Sequence, residues 1–158
     1  TTRRIALEDF FIAYGKQDRA PGELVVGIEV PMLPEPAQFK AYKISKRFDQ
    51  DISAVCGCFN IKVAAGIVTA ARICFGGMAA TPKRATSVEA ALVGKPWTEA
   101  SVAQALPAFE QDYAPITDMR ASAAYRMLAA KNLLVRYYHE TQRPPAETRL
   151  VGRAAAFV

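Results

Sequence analysis

The sequence predicts an α+β domain, built as an antiparallel β-meander of three to four strands with helices packed on one face and the last helix long. Apolar residues recur with a period of two from Phe39 to Phe75, as they do in half-buried strands. After Gly76-Gly77 the spacing becomes helical. Strands therefore come first and helices later, which argues against a fold that alternates the two around a bound nucleotide.

Ile5 to Tyr14 mixes a short apolar segment with Glu8-Asp9 and suits one helical turn. Leu24 to Val30 is β-rich but bounded by Pro21-Gly22 and by Pro31, Pro34 and Pro36. Proline cannot donate to a ladder, so this run is expected at a sheet edge or strand end. Phe39 to Lys46 and Ile52 to Ala64 read as strands flanking a charged loop. In the second strand Val55, Phe59, Ile61 and Val63 share one face, and Cys56, Cys58, Asn60 and Lys62 the other. Ala65-Gly66 supplies a tight turn into Ile67 to Phe75, where Ile67, Thr69, Ala71, Ile73 and Phe75 fall on one side.

Ser87 is placed to cap a short helix through Val93, with Gly94 as its stop. Thr98 is placed to cap another towards Tyr113, which Pro107 should kink or break. The longest helix is expected to begin after Thr117-Asp118 and reach about Glu140, with Ala121, Ala124, Tyr125, Leu128, Val135 and Tyr138 on its apolar stripe. It should cover one face of the sheet. Beyond Arg143-Pro144-Pro145 the periodicity ends, and Ala146 to Val158 reads as a tail or a partner-facing extension.

At 158 residues with 51% apolar composition the chain fits one domain with a core of its own. It shows neither a long apolar run nor a basic, apolar leader, so the expectation is a cytoplasmic protein that does not enter a membrane. Cys56, Cys58 and Cys74 have no metal-ligand spacing and a single His139 cannot complete a zinc set, so reduced structural thiols are expected. The net charge is +5, but the cations are dispersed and no recognition-helix or ribonucleoprotein pattern accompanies them, so no nucleic-acid partner is expected.

Chemistry-bearing candidates are few. There is no Gly-x-Gly-x-x-Gly and no Walker-type loop, and Gly76-Gly77 reads as a structural turn, not a phosphate cradle. His139 suits charge compensation at a helix end, Ser45 and Ser53 lack a triad, and Trp97, Tyr137 and Tyr138 suit a core or interface. Thr81-Pro82-Lys83-Arg84 suits a rigid turn. The exception is Lys43-Ile44-Ser45-Lys46-Arg47-Phe48-Asp49-Gln50-Asp51-Ile52, where three cations, two carboxylates and an amide crowd ten positions between two strands. Such a run is either a solvated turn or a loop that meets a polar ligand or partner.

This charged run, together with Phe10-Phe11-Ile12-Ala13-Tyr14-Gly15-Lys16, the stretch Pro21 to Pro31, and Cys74-Phe75-Gly76-Gly77-Met78-Ala79-Ala80-Thr81-Pro82-Lys83-Arg84-Ala85, carries a resemblance. The chain resembles the C-terminal half of the FAD-binding subunit of a bacterial xanthine dehydrogenase, within the molybdenum hydroxylases that also include carbon monoxide dehydrogenase. The likeness runs from about residue 5 to 142. It implies that 1–19 is the tail of a flavin-binding lobe, 20–142 a flavoprotein C-terminal α+β domain, and 143–158 an extension.

Carried further, the resemblance implies an oxidoreductase in which electrons from purine oxidation pass from FAD to NAD. The molybdenum cofactor and 2Fe-2S clusters would lie on other segments or chains. The partners would be a molybdenum-binding large subunit and upstream FAD and iron-sulfur portions, within an oligomer. The family's glycine-rich pyrophosphate loops precede the matched part, so the FAD site of this chain is expected to be incomplete and the chain alone inactive. The resemblance assigns FAD contacts to Val25 and Lys43, which read otherwise as a core valine and a surface lysine. It places Arg47, Asp49 and Gln50 on the loop near the flavin, and leaves open which carboxylate of Asp49-Gln50-Asp51 faces it. The alternative is a non-catalytic domain that docks a partner subunit.

Overall fold

The computed structural model describes residues 1–33 and 38–148, so the expected extension from Arg149 onward lies outside the described residues. Near the N-terminus a single helical turn, α1 (Leu7–Phe10), leads into a small hairpin of β1 (Phe11–Ala13) and β2 (Lys16–Gln17). Arg3 holds this region together by pairing with Asp18 at 2.9 Å and Glu23 at 2.6 Å. The main sheet is antiparallel, with β3 (Phe39–Ile44), β4 (Val55–Ala64), β5 (Ile67–Gly76) and β6 (Lys83–Arg84) in sequential order. The meander expected from the sequence is therefore present.

Ala65 and Gly66 both take positive φ, 48° and 76°, and so close the β4–β5 hairpin with the twist its strands require. A register shift at Lys62/Val63 then changes which face each residue meets. Val68, Ala71, Ile73 and Phe75 are buried, whereas Ile67 and Val63 are exposed. The sequence put Ile67 inward, because a strict alternation cannot register the extra residue, Thr69, in β5; Val63 keeps the parity of Ile61 but lies at the exposed hairpin end of β4.

The outer margin of β5 is closed by three different devices. At one end β6 pairs with Cys74 and Phe75. In the middle, the Ile73 amide donates to Glu89 Oε1 at 2.7 Å, a carboxylate standing in for a neighbouring strand. At the other end the segment 94–97 bonds back, through Val68 N to Lys95 O and Trp97 N to Gly66 O.

Helices cover the inner face of the sheet. They are α2 (Thr86–Leu92), α3 (Glu99–Ala105), α4 (Phe109–Asp112) and the long α5 (Ala123–Gln142); a last turn, α6 (Pro145–Thr148), follows α5. Thr98 caps α3 through Ser101 N, and α3 stops before Pro107, whose 3-10 turn Leu106–Ala108 links it to α4. Ser87 is not the cap of α2. The helix begins one residue earlier, and the free amides of Ser87 and Val88 donate to the buried Asp112 carboxylate at 3.0 and 3.1 Å. A distant aspartate does the work that the sequence assigned to a local serine.

α5 begins at Ala123 with Ser122 as N-cap, later than Thr117-Asp118 suggested. Its buried stripe is Arg126, Ala129, Ala130, Leu133, Leu134 and Tyr137. Tyr125 and Leu128, expected inside, face outward. Two polar members, Arg126 and Tyr137, disguise the real stripe, because a hydrophobic pattern discounts them. Tyr137 stacks on Phe59 of β4 with ring centroids 5.2 Å apart, and Phe59 meets Tyr42 and Phe75 in turn.

The stretch 24–30 forms no strand. A strand needs a ladder partner, and among the described residues none pairs with it; Leu24, Val26, Ile28 and Val30 are each at least 75% exposed. Its large apolar side chains thus lie on the surface.

Tyr137 gives the seam between α5 and the sheet a testable polar component. Its hydroxyl donates to Gln38 O at 2.7 Å and accepts from Ile61 N at 3.3 Å, so one group ties the residue ahead of β3 to β4. Tyr137→Phe should cost about 1–3 kcal/mol, because the buried Ile61 amide is left without a partner. Urea unfolding checks this, with a lower midpoint and an unchanged slope as the expected result.

Candidate functional site

The charged run forms the loop between β3 and β4, and its polar groups bind one another. Asp51 accepts the Arg47 amide at 2.9 Å and faces the Arg47 guanidinium at 3.6 Å. Arg47 Nη2 donates to Gln50 O at 3.0 Å, Asp49 accepts the Gln50 amide at 2.8 Å, and Ser45 Oγ donates to Arg47 O at 2.9 Å. Gln50 holds a left-handed φ of 50°, which lets the chain reverse within this ring of bonds. The Asp51 carboxyl is held below the usual range first by the Arg47 amide and then by its guanidinium charge.

Lys46 bonds outside the run, to Met119 O, and two further side chains of the run stand out as unengaged. Phe48 is 94% exposed at the tip. Lys43, near the end of β3 and opposite Cys56, points to the sheet face away from the helices, and makes no hydrogen bond or ion pair among the described residues. Cys56, Cys58 and Cys74 lie on that same face as free, half-buried thiols, and burial pushes Cys58 and Cys74 up.

The structure thus brings Lys43, Arg47, Asp49 and Gln50 onto one loop and the strand that enters it. Val25 is not brought to them by any strand pairing; it sits in the unpaired 24–30 stretch, whose Glu29 pairs with Arg4 at 2.9 Å. It is not the core valine that residue type alone suggests, being 57% exposed.

The base of the loop depends on residues the sequence did not single out as functional. Arg126, only 3% exposed, sends Nη1 to Ala54 O at 2.6 Å and to Gly77 O at 2.8 Å, and Nη2 to Asp118 Oδ1 at 2.6 Å. Ala54 is where the loop rejoins the sheet; Gly77 belongs to the turn after β5. A Cβ on Gly77 would lie 2.4 Å from Ala54 O, and its φ is 81°. Gly76-Gly77 is therefore a close crossing of two loops, as its reading as a structural turn requires. Asp118 also accepts the amides of Arg120 and Ala121, and these with Arg126 hold its carboxyl at about 2. The glycine pair was the one visible signal of this junction.

A meander closed by helices, with a self-bonded charged loop at its end, defines a class of small α+β domains. The chain belongs to the CO dehydrogenase flavoprotein C-terminal domain family, which it matches over residues 40–141. It is 33% identical over 143 residues to a nicotinate hydroxylase of Emericella nidulans, covering 85% of this chain and 10% of that protein. A xanthine dehydrogenase of the same organism is 31% identical over 86% of this chain and 10% of its own length. Reconstituted CO dehydrogenase from Oligotropha carboxidovorans superposes with a TM-score of 0.77 at 25% identity, over 85% of this chain and 46% of that one. The chain thus spans about a tenth of these curated relatives and under half of the solved chain. Among the described residues no helix is long and apolar enough to cross a membrane, and no group of side chains is set to hold a metal ion.

Two outcomes follow for the junction. Because the Asp118 pKa is lowered from 3.8 to about 2, its contribution is fully present above 3.8 and is lost as pH falls through about 2. Carboxyl-carbon NMR should find the Asp118 midpoint near the lower value; a midpoint at the ordinary one would mean that the contacts with Arg126 and the two amides do not form in solution. Gly77→Ala should cost at least about 1–3 kcal/mol in denaturant unfolding, since the added carbon meets a backbone oxygen at an unfavourable φ.

Proposed function

We propose that this chain completes one wall of the flavin and NAD site in a xanthine dehydrogenase-like molybdenum hydroxylase, as the C-terminal part of its FAD subunit. The observation that carries the reading is the β3–β4 loop, which lies within the family match and presents an unengaged cation and an unengaged ring beside a self-sufficient polar network. Lys43 and Phe48 fit a planar, anionic group: an ammonium stabilises negative charge, and an aromatic face covers a ring system. Arg47, Asp49 and Gln50 would supply the polar edge of the same wall, and Val25 a backbone contact from the 24–30 stretch. FAD, when bound, supplies the redox chemistry, taking up electrons and passing them as hydride to NAD. The residues named here orient it, and set the charge that a nicotinamide meets on approach.

The whole reaction needs more than this chain carries. Molybdenum cofactor and 2Fe-2S clusters would sit on other segments or chains, and purine oxidation would take place there. The 1–19 segment would close the flavin-binding lobe, 20–142 would form the C-terminal domain, and 143–158 would extend from it. The exposed apolar stretch 24–30 suits a surface covered by the rest of the subunit, since contiguous exposed apolar area marks an interaction site.

That exposed stretch also favours a second reading, in which the domain only docks a partner subunit. In the complete FAD subunit, Lys43→Ala should lower FAD affinity or NAD reduction by about tenfold, the size of a lost charge-assisted contact. Unchanged flavin content and turnover would remove Lys43 from the site. Under the docking reading, charge reversals at Arg47 and Asp51 alter assembly and leave the flavin spectrum untouched. Fluorescence titration of FAD with this chain alone should show no tight stoichiometric binding, because no pyrophosphate loop is among its motifs.

A further inference from the structure

We propose that Arg126 is the positioning residue of the β3–β4 loop: by tying Ala54 O and Gly77 O to the start of α5, it fixes the stance in which residues 45–53 leave the sheet. The proposal deepens the flavin-wall reading and rests on it for its catalytic meaning, though the geometry stands without it.

A buried guanidinium is an expensive way to fill space, and an apolar side chain of similar volume would serve packing as well or better. Arg126 is placed instead where three acceptors from three separate segments converge: the loop exit at Ala54, the turn at Gly77, and Asp118 before α5. Its Nε has no hydrogen-bond partner among the described residues. The side chain thus leaves one donor unused in order to reach those acceptors, which points to their geometry as what fixes its position.

The other end of the loop is held by the same neighbourhood. Lys46 Nζ donates to Met119 O at 2.5 Å, one residue from Asp118. Asp118 shapes that turn through the amides of Arg120 and Ala121. Entry and exit of the loop are therefore anchored on residues 118–126, while between the anchors its bonds are internal. A unit bonded within itself and held at two points turns as one body when either point is released. Lysine cannot replace Arg126, since a single ammonium on a flexible stem does not span three fixed acceptors in the planar fork geometry.

The test compares Arg126→Lys with Lys46→Met, an exposed change that removes the entry anchor without disturbing the core, both in the complete FAD subunit. Amide exchange is followed at Arg47, Gln50 and Ala54, with Ile61 of β4 as the internal reference, alongside the flavin absorption and fluorescence spectra. Arg126→Lys should speed exchange at Ala54 and the loop amides by about tenfold or more, the loss of a charged hydrogen bond, with Ile61 unchanged. Lys46→Met should do the same at Arg47 and Gln50, and both should shift the flavin spectrum. Uniform acceleration that includes Ile61, or unaltered loop exchange, overturns the positioning role. Faster loop exchange with an unshifted flavin spectrum upholds the positioning role and overturns the flavin-wall reading. If Arg126→Lys does not fold, Asp118→Asn, which weakens the hold on the Arg126 guanidinium without removing it, decides by the same criteria at Ala54 and the loop amides.

Discussion

Everything in this domain hangs from the seam where α5 lies across β4. Near its start, Arg126 holds the backbone on either side of the sheet's loop end; about a turn and a half before its end, Tyr137 stacks on Phe59 and bonds to Gln38, just ahead of β3, and to β4. Further on, Glu140 accepts the Tyr42 hydroxyl and the Arg136 guanidinium, which lies 4.7 Å over the Tyr42 ring. Apolar burial supplies the cohesion along this line, and the polar groups supply its register. Sliding α5 by one residue would rotate Arg126 and Tyr137 away from every one of these partners at once.

The loop is attached to this seam and remains chemically apart from it. Its carboxylates and guanidinium bond to backbone groups of the loop, and Asp51 also faces Arg47, so the loop keeps its shape with most of its surface in water. Exposed ion pairs of this kind add little to stability. What they add is form: they leave Phe48 as the side chain that projects, and they separate it from the core that carries the loop.

Much of this was legible in the sequence, where physics acts locally. The period-two runs, the Ala65-Gly66 turn, the Thr98 cap and the break at Pro107 each depend on a few adjacent residues, and each stands where expected. What was hidden depends on partners distant in the chain. Asp112 caps α2 from 25 residues away in place of Ser87. Arg126 and Tyr137 turn the buried face of α5 away from Tyr125 and Leu128, and a bulge at Lys62/Val63 inverts the parity of the next strand. The 24–30 stretch has strand composition without a strand, because composition is local and a ladder is not. For the candidate loop the residues were legible as a cluster, and their mutual bonding and the Arg126 anchor were not.

The closed margin of β5 sets a limit on how copies of this sheet can associate. β6, Glu89 and the 94–97 segment occupy outward backbone groups at both its ends and at Ile73, and β6 itself is two residues long. β3, at the opposite end, is the only strand of useful length left with an outward side among the described residues, and it bears Lys40 and Lys43. Fibrous growth requires each copy to accept neighbours on two sides, one ahead and one behind. A sheet whose second margin is largely taken up by a helix carboxylate, a returning segment and a two-residue strand offers a second neighbour little to pair with, so the fold works against runaway stacking through its main sheet.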